Sequence, residues 1–197
     1  MSSLKGYFVQ YKFILPKEIK HSSYTYQKLF RAIYGYTQNV SKGGGKVYKY
    51  CRKGVLSEVP FLRPGKNSVI IPTSAFNQLI TFLKTGKNPT HYWKSKGDWK
   101  AVYYMDEKQV SESDVVSALE ALLSRLHLPG DSGDLKLVDQ VEYLLENSDK
   151  QGAKALIEAT LTGAEPLVSS EWFASYYKQS DMLSSFFEKY KKLKQLL

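Results

Sequence analysis

The sequence predicts an α+β protein in which a basic module of alternating strands and helices, residues 1–105, precedes an acidic helical region, residues 106–197. Three observations predict it. Short runs rich in aromatic and β-branched residues recur through the first half, as strands require. Between them lie two segments whose apolar residues repeat at helical spacing. Near residue 106 the strand-like runs stop and the charge changes sign. Residues 1–105 hold 18 Lys and Arg against 3 acids, a net charge of +15, whereas residues 106–197 hold 10 against 16, a net of −6.

The first strand is GYFVQYKFILP, ended by Pro16. In SSYTYQKLFRAIYGYTQ, residues Tyr26, Leu29, Phe30 and Ile33 stand at i, i+3, i+4 and i+7, with Ser22 or Ser23 as N-cap. KVYKYCRKGVL reads as a second strand, RPGKN as a turn and SVIIP as a short buried strand. TSAFNQLITFLKTG is a second helix, with Phe76, Leu79, Ile80 and Leu83 on one face, Thr73 or Ser74 as cap and Gly86 at C′. DWKAVYYM closes the module as another strand. The order β-α-β-β-α-β is that of the ferredoxin-like split βαβ unit.

Downstream, Ser111 and Asp114 form a capping-box pattern ahead of a helix that stops at Pro129-Gly130. DLKLVDQVEYLLEN and DKQGAKALIEATLTG are further helices, the second ending at Gly163. Residues 169–197 supply one long helix or two shorter ones. There Leu183, Phe186, Phe187, Tyr190, Leu193 and Leu197 form an apolar stripe edged by lysines. Such a stripe suits packing on its own domain, or a protein-partner or homodimer contact through 167–197.

Composition narrows the class. A hydrophobic content of 43% supports a packed core rather than a disordered chain. Cys51, the single cysteine, leaves no intramolecular disulfide and too few thiolates for a zinc site. No run approaches the roughly 18 apolar residues of a membrane helix, and the N-terminal stretch reads as a strand rather than a leader. A cytoplasmic protein with no membrane segment, no cofactor and no metal is expected.

Eighteen cations against three acids create self-repulsion that folding must overcome, and a bound polyanion would compensate it. The charge is densest in KGGGKVYKYCRK, Lys42 to Lys53, which holds no acid. Strand alternation puts Lys46, Tyr48, Tyr50 and Arg52 on one face and Val47, Lys49, Cys51 and Lys53 on the other. Rings on which bases stack, interleaved with cations for phosphates, suit single-stranded nucleic acid. Strand one offers Tyr7, Val9, Tyr11 and Phe13 against Phe8, Gln10, Lys12 and Ile14, and whichever set meets the helices is core. In NPTHYWKSKGDWK one of the two tryptophans belongs in the core, and Trp93 is the better stacking candidate, beside Lys94 and Lys96. FLRPGKN adds Arg63 and Lys66. Gly43–Gly45 is a hairpin tip or a backbone nest for an anion. No Walker loop and no RNP1 pattern occurs, and no helix is basic enough to fill a major groove.

Catalytic signals are sparse. Asp98 and Lys100 make a D-x-K pair with Glu58 as a conceivable partner, but the basic half holds three acids in all, few for two-metal chemistry. His21, His91 and His127 are scattered, and His127 stands where it would bond helix-end carbonyls. Residues 106–166 hold 13 acids against 5 cations, as solvated helix faces do, or as a surface shielding the basic half or meeting a basic partner. The expectation is a non-catalytic nucleic-acid-binding protein that favours single-stranded DNA or RNA. Its interface is Lys42, Lys46, Tyr48, Lys49, Tyr50, Arg52, Lys53, Arg63, Lys66, Trp93, Lys94 and Lys96. The alternatives are a metal-dependent nuclease or processing subunit using Asp98, Glu58 and Lys100, and an adaptor docking an acidic protein.

Overall fold

The computed structural model describes residues 4–42, 45–87, 98–130 and 133–197. The chain divides into two compact units, Met1–Thr37 with Cys51–Ser111, and Gln38–Tyr50 with Glu112–Leu197. The elements of the first part are β1 (Leu4–Ile14), α1 (Tyr24–Tyr34), β2 (Tyr36–Lys42), β3 (Lys46–Arg52), β4 (Leu62–Gly65), β5 (Ser68–Pro72), α2 (Phe76–Thr85) and β6 (Lys100–Val110).

Unit 1 is built on a four-stranded sheet in the order β4-β5-β1-β6. Every neighbouring pair in it is antiparallel. Strand β1 alternates as its sequence requires: Val9, Tyr11 and Phe13 are buried, while Gln10, Lys12 and Ile14 are exposed. The buried set meets Leu29 and Ile33 of α1, Leu79, Phe82 and Leu83 of α2, and Val69 and Ile71 of β5 in one core. Both helices therefore cover the same face of the sheet. Ser23 caps α1, its hydroxyl accepting from the Tyr26 N–H at 3.2 Å, and Gly86 ends α2 in the left-handed conformation at φ 68°. A short 3-10 turn, Thr73–Ala75, leads into α2 in place of a side-chain cap.

The second strand of the main sheet is not KVYKYCRKGVL, as the sequence suggests, but β4. The crossover through α1 leads from β1 to β4, and β5 stands between those two strands, antiparallel to both. The reason lies just after α1. The chain turns at Gly35 (φ 74°) straight into β2, a strand that the polar stretch YTQNVSK does not announce. Strand β3 then pairs with β2 in a separate two-stranded sheet. The vacant place in the main sheet goes to β4, whose Pro64 is tolerated because β4 lies at the edge. Strand β3 also stops at Arg52. Residues 54–57 form a turn that closes the end of α1, with the N–H groups of Val55 and Leu56 donating to the carbonyls of Ala32 and Ile33 at 2.9 and 2.7 Å.

Unit 2 holds α3 (Glu112–Arg125), β7 (His127–Leu128), β8 (Leu135–Lys136), α4 (Leu137–Glu146), α5 (Ala153–Val168), α6 (Glu171–Tyr176) and α7 (Asp181–Lys194). Trp172, Phe173, Leu119, Leu122, Val141, Ile157 and Leu167 are among its buried residues. The hairpin segment Gln38–Tyr50, which the sequence groups with the basic half, belongs to this unit, and the Asp134 N–H donates to the Lys49 carbonyl at 2.8 Å. Helix α5 does not end at Gly163 but continues to Val168. The glycine serves packing, because a Cβ there would meet Leu128 Cδ2 at 2.1 Å. The C-terminal segment forms two helices, and the stripe residues Leu183, Phe186, Tyr190 and Leu193 are buried within the unit. That stripe is spent on intramolecular packing, with Leu197 left exposed. Among the described residues no helix is long and apolar enough to cross a membrane.

The closure of α1 makes a test of this packing. A Cβ on Gly54 would come within 2.4 Å of Gly35 N and 2.7 Å of Ala32 O, both backbone atoms that cannot swing aside. Gly54→Ala is expected to destabilise the protein by about 1–3 kcal/mol, read as a lower urea midpoint at unchanged slope.

Candidate functional site

With both helices on one side of the sheet, the other side is built from the remaining positions of β1 and β6. The register opposes Phe8 to Asp106, Gln10 to Tyr104, Lys12 to Val102 and Ile14 to Lys100. Directly opposed residues project from the same face. Ile14, Val102 and Tyr104 are 48%, 52% and 60% exposed, too much for core positions. The Lys108 ammonium lies over the Phe8 ring, 4.9 Å from its centre. The outer positions of these two strands thus carry two rings, apolar side chains and the ammonium groups of Lys12, Lys100 and Lys108 against the single carboxylate of Asp106.

A cleft of about 800 Å³ opens at one end of this sheet. Gln10, Lys12, Val102 and Tyr104 line it from the strands, His21 and Tyr26 from around the start of α1, and Lys66 and Asn67 from the β4–β5 turn. It forms where β5 runs out. Ser68 is the last β5 partner of β1, opposite Gln10, and one residue on the Tyr11 N–H donates instead to the Asn67 carbonyl at 2.9 Å. Asn67 adopts φ 76°, the one positive φ among the described non-glycine residues. Its side-chain Oδ1 is buried and accepts no hydrogen bond, an arrangement that ordinarily costs about 1–3 kcal/mol.

Tyr11 ties the cleft to the core. Its hydroxyl shares a 2.8 Å hydrogen bond with the Tyr34 hydroxyl, and the Arg63 guanidinium lies 4.4 Å from the centre of the Tyr34 ring. Burial, and then the neighbouring Tyr34, push the Tyr11 phenol well above its ordinary value of 10.0. Burial also raises Tyr34, opposed by its bond to Tyr11 and by Arg63.

The expected interface residues fall in several places. Lys46, Lys49 and Arg52 are exposed on β3, with Tyr48 and Tyr50 half-buried between them. Lys42 ends β2. Residues 46–50 lie in unit 2, whereas Arg52, Lys53, Arg63 and Lys66 lie in unit 1. Lys53 is ion-paired with Glu58. Arg63 stacks on Tyr34, and Lys66 lines the cleft. Trp93, Lys94 and Lys96 lie outside the described residues, as do Gly43 and Gly44 of the glycine run. Trp99 is the core tryptophan, packed edge-on to Phe13 at 5.3 Å and against Phe82 at 5.8 Å.

Asp98 and Lys100 are exposed at the start of β6, and the Glu58 carboxylate is engaged by Lys53. Among the described residues no group of three or more His, Cys, Asp or Glu stands close enough to hold a metal ion. A ring nitrogen of His127, Nδ1, bonds the Arg125 carbonyl at 2.7 Å, the helix-end role its position suggested.

Sequence reasoning passed over Tyr104, Val102 and Asn67, and named Gln10 and Lys12 only as part of one face of strand one. The alternation of VYYM with its two adjacent tyrosines held a signal, since one of the two had to face away from the helices. No family model matches the chain, and no curated protein or solved structure matches it either.

The tyrosine pair predicts a pH dependence. An unfolded Tyr11 would lose its proton near its ordinary 10.0, whereas the folded residue keeps it to higher pH. The folded state then holds more protons, so stability is intact below that value and declines as pH rises through it. Tyr11→Phe is expected to lessen this alkaline decline, measured as the urea midpoint at a series of pH values from neutrality upward.

Proposed function

We propose that unit 1 is a non-catalytic binding module for single-stranded nucleic acid, DNA or RNA, and that the outer face of β1 and β6 is its platform. The observation that carries this reading is the exposure of Tyr104, Val102 and Ile14 on a sheet face interleaved with Lys12, Lys100 and Lys108. An exposed ring offers a stacking surface to a base, worth about 1–3 kcal/mol, while ammonium groups beside it neutralise phosphates. Duplex bases are already stacked and have no use for such a ring.

Charge supports the same reading. Unit 1 holds 16 Lys and Arg against 5 acids, a net of +11, whereas unit 2 holds 12 against 14, a net of −2. The excess that calls for a polyanion therefore belongs to the unit with the exposed sheet face. Of the basic residues on β3, Lys46 and Lys49 belong to unit 2, and this strand stands as an auxiliary contact. A cytoplasmic setting, where single strands occur and Cys51 stays reduced, fits this reading.

Titrations of labelled single and double strands, followed by anisotropy over a range of salt, test it. Tyr104→Ala is expected to weaken single-strand binding by about 1–3 kcal/mol and to change duplex binding little. Lys12→Ala and Lys100→Ala are each expected to weaken binding to every sequence and to flatten the salt slope by about one unit. Greater losses from Tyr48→Ala and Lys46→Ala would move the site to the hairpin. Weak binding, equal for all strands and lost at physiological salt, would leave only a generic basic surface.

A further inference from the structure

We propose that the cleft beside the β4–β5 turn reads one base of the bound strand, with Asn67 Oδ1 accepting from the exocyclic amino group of an amino-bearing base such as adenine. This rests on the nucleic-acid reading above. The β4–β5 turn requires a left-handed residue at position 67, with φ 76°. Glycine meets that need at the least cost. Asparagine is tolerated there chiefly because its side chain bonds nearby backbone, yet Oδ1 makes no such bond and is buried. The left-handed backbone favours asparagine after glycine, but it leaves the carboxamide oxygen with no donor from the protein.

The surroundings name the missing donor. The cleft that Asn67 lines also holds the Tyr104 and Tyr26 side chains, for a flat ligand, and Lys12 and Lys66, for an anionic one. Its volume of about 800 Å³ admits a base with its sugar and phosphate. An asparagine χ2 is broad, and rotation about it is the movement that would present the buried Oδ1 to a donor in the cleft. The amino group of adenine projects from the ring edge and reaches such an acceptor. The imide N–H of thymine or uracil sits between two carbonyl oxygens, which would meet Oδ1 lone pair to lone pair. The bound amino group exchanges water for an acceptor that the protein leaves without a donor, so the exchange favours the complex.

The test uses the full chain and two short labelled single strands, one of deoxyadenosine and one in which each base is purine without the amino group. These ligands share ring, charge and stacking surface and differ in the donor alone. The wild-type protein is expected to prefer the adenine strand roughly threefold to tenfold, the range of one hydrogen bond. Asn67→Gly keeps the left-handed backbone, so its melting temperature should not fall, and it is expected to bind both strands equally with the purine strand unaffected. Tight but equal binding of both strands by wild type would overturn the base-reading cleft and leave the platform standing. A preference that survives in Asn67→Gly would also overturn it, by assigning the donor's partner elsewhere. No binding of either strand would sink the nucleic-acid reading and the cleft with it.

Discussion

Strand β1 pairs with β6 over its full length, Leu4 with Val110 through to Ile14 with Lys100, and with β5 over Gly6 to Gln10. The rest of unit 1 depends on the register of those pairings. Side chains alternate along a strand with period two, so a slip of one residue would exchange the two faces completely. Gln10 and Lys12 would then enter the core, and Val9, Tyr11 and Phe13 would face water. Burying an ammonium without a partner is costly enough to forbid that. The register that seats Tyr11 and Phe13 beneath the helices also sets Lys12 beside Val102 and Gln10 beside Tyr104 on the other face. Core and outer face are two consequences of one constraint.

The same strand explains where the cleft lies. It outlasts β5 by several residues, and past Gln10 its edge is met by the turn rather than by a strand. The Asn67 carbonyl takes the Tyr11 N–H there, while the Tyr11 hydroxyl reaches Tyr34 at the end of α1. The cleft lies beside this turn, lined by Lys66 and Asn67. Tyr34 in turn carries Arg63 over its ring, so one cation of the basic turn is bound to the core and Lys66 remains at the rim.

The helices were legible because their signal is internal. Tyr26, Leu29, Phe30 and Ile33 share a face whatever surrounds them, and Ser23 and Gly86 act as caps through local geometry. Strands were harder, since a strand is completed by its partner. YTQNVSK is polar because β2 pairs only with β3, and Arg63-Pro64-Gly65 carries turn chemistry yet pairs as an edge strand. Gly163 marks close packing against Leu128 rather than a helix stop, and a single sequence gives no means of telling the two apart. The candidate site suffered in the same way. Density of lysine and tyrosine pointed to the hairpin, but which of Tyr103 and Tyr104 faces outward depends on the register with β1, and Tyr103 opposes Tyr11 on the core side.

Ultraviolet cross-linking of a short single strand to the intact protein, with the attachment sites mapped by mass spectrometry, addresses the platform most directly. The account predicts adducts in the peptides spanning 4–14 and 100–110, with Tyr104 foremost, and their disappearance when unlabelled single strand competes. Adducts confined to residues 112–197, or none at protein concentrations far above those of specific binding, would contradict it.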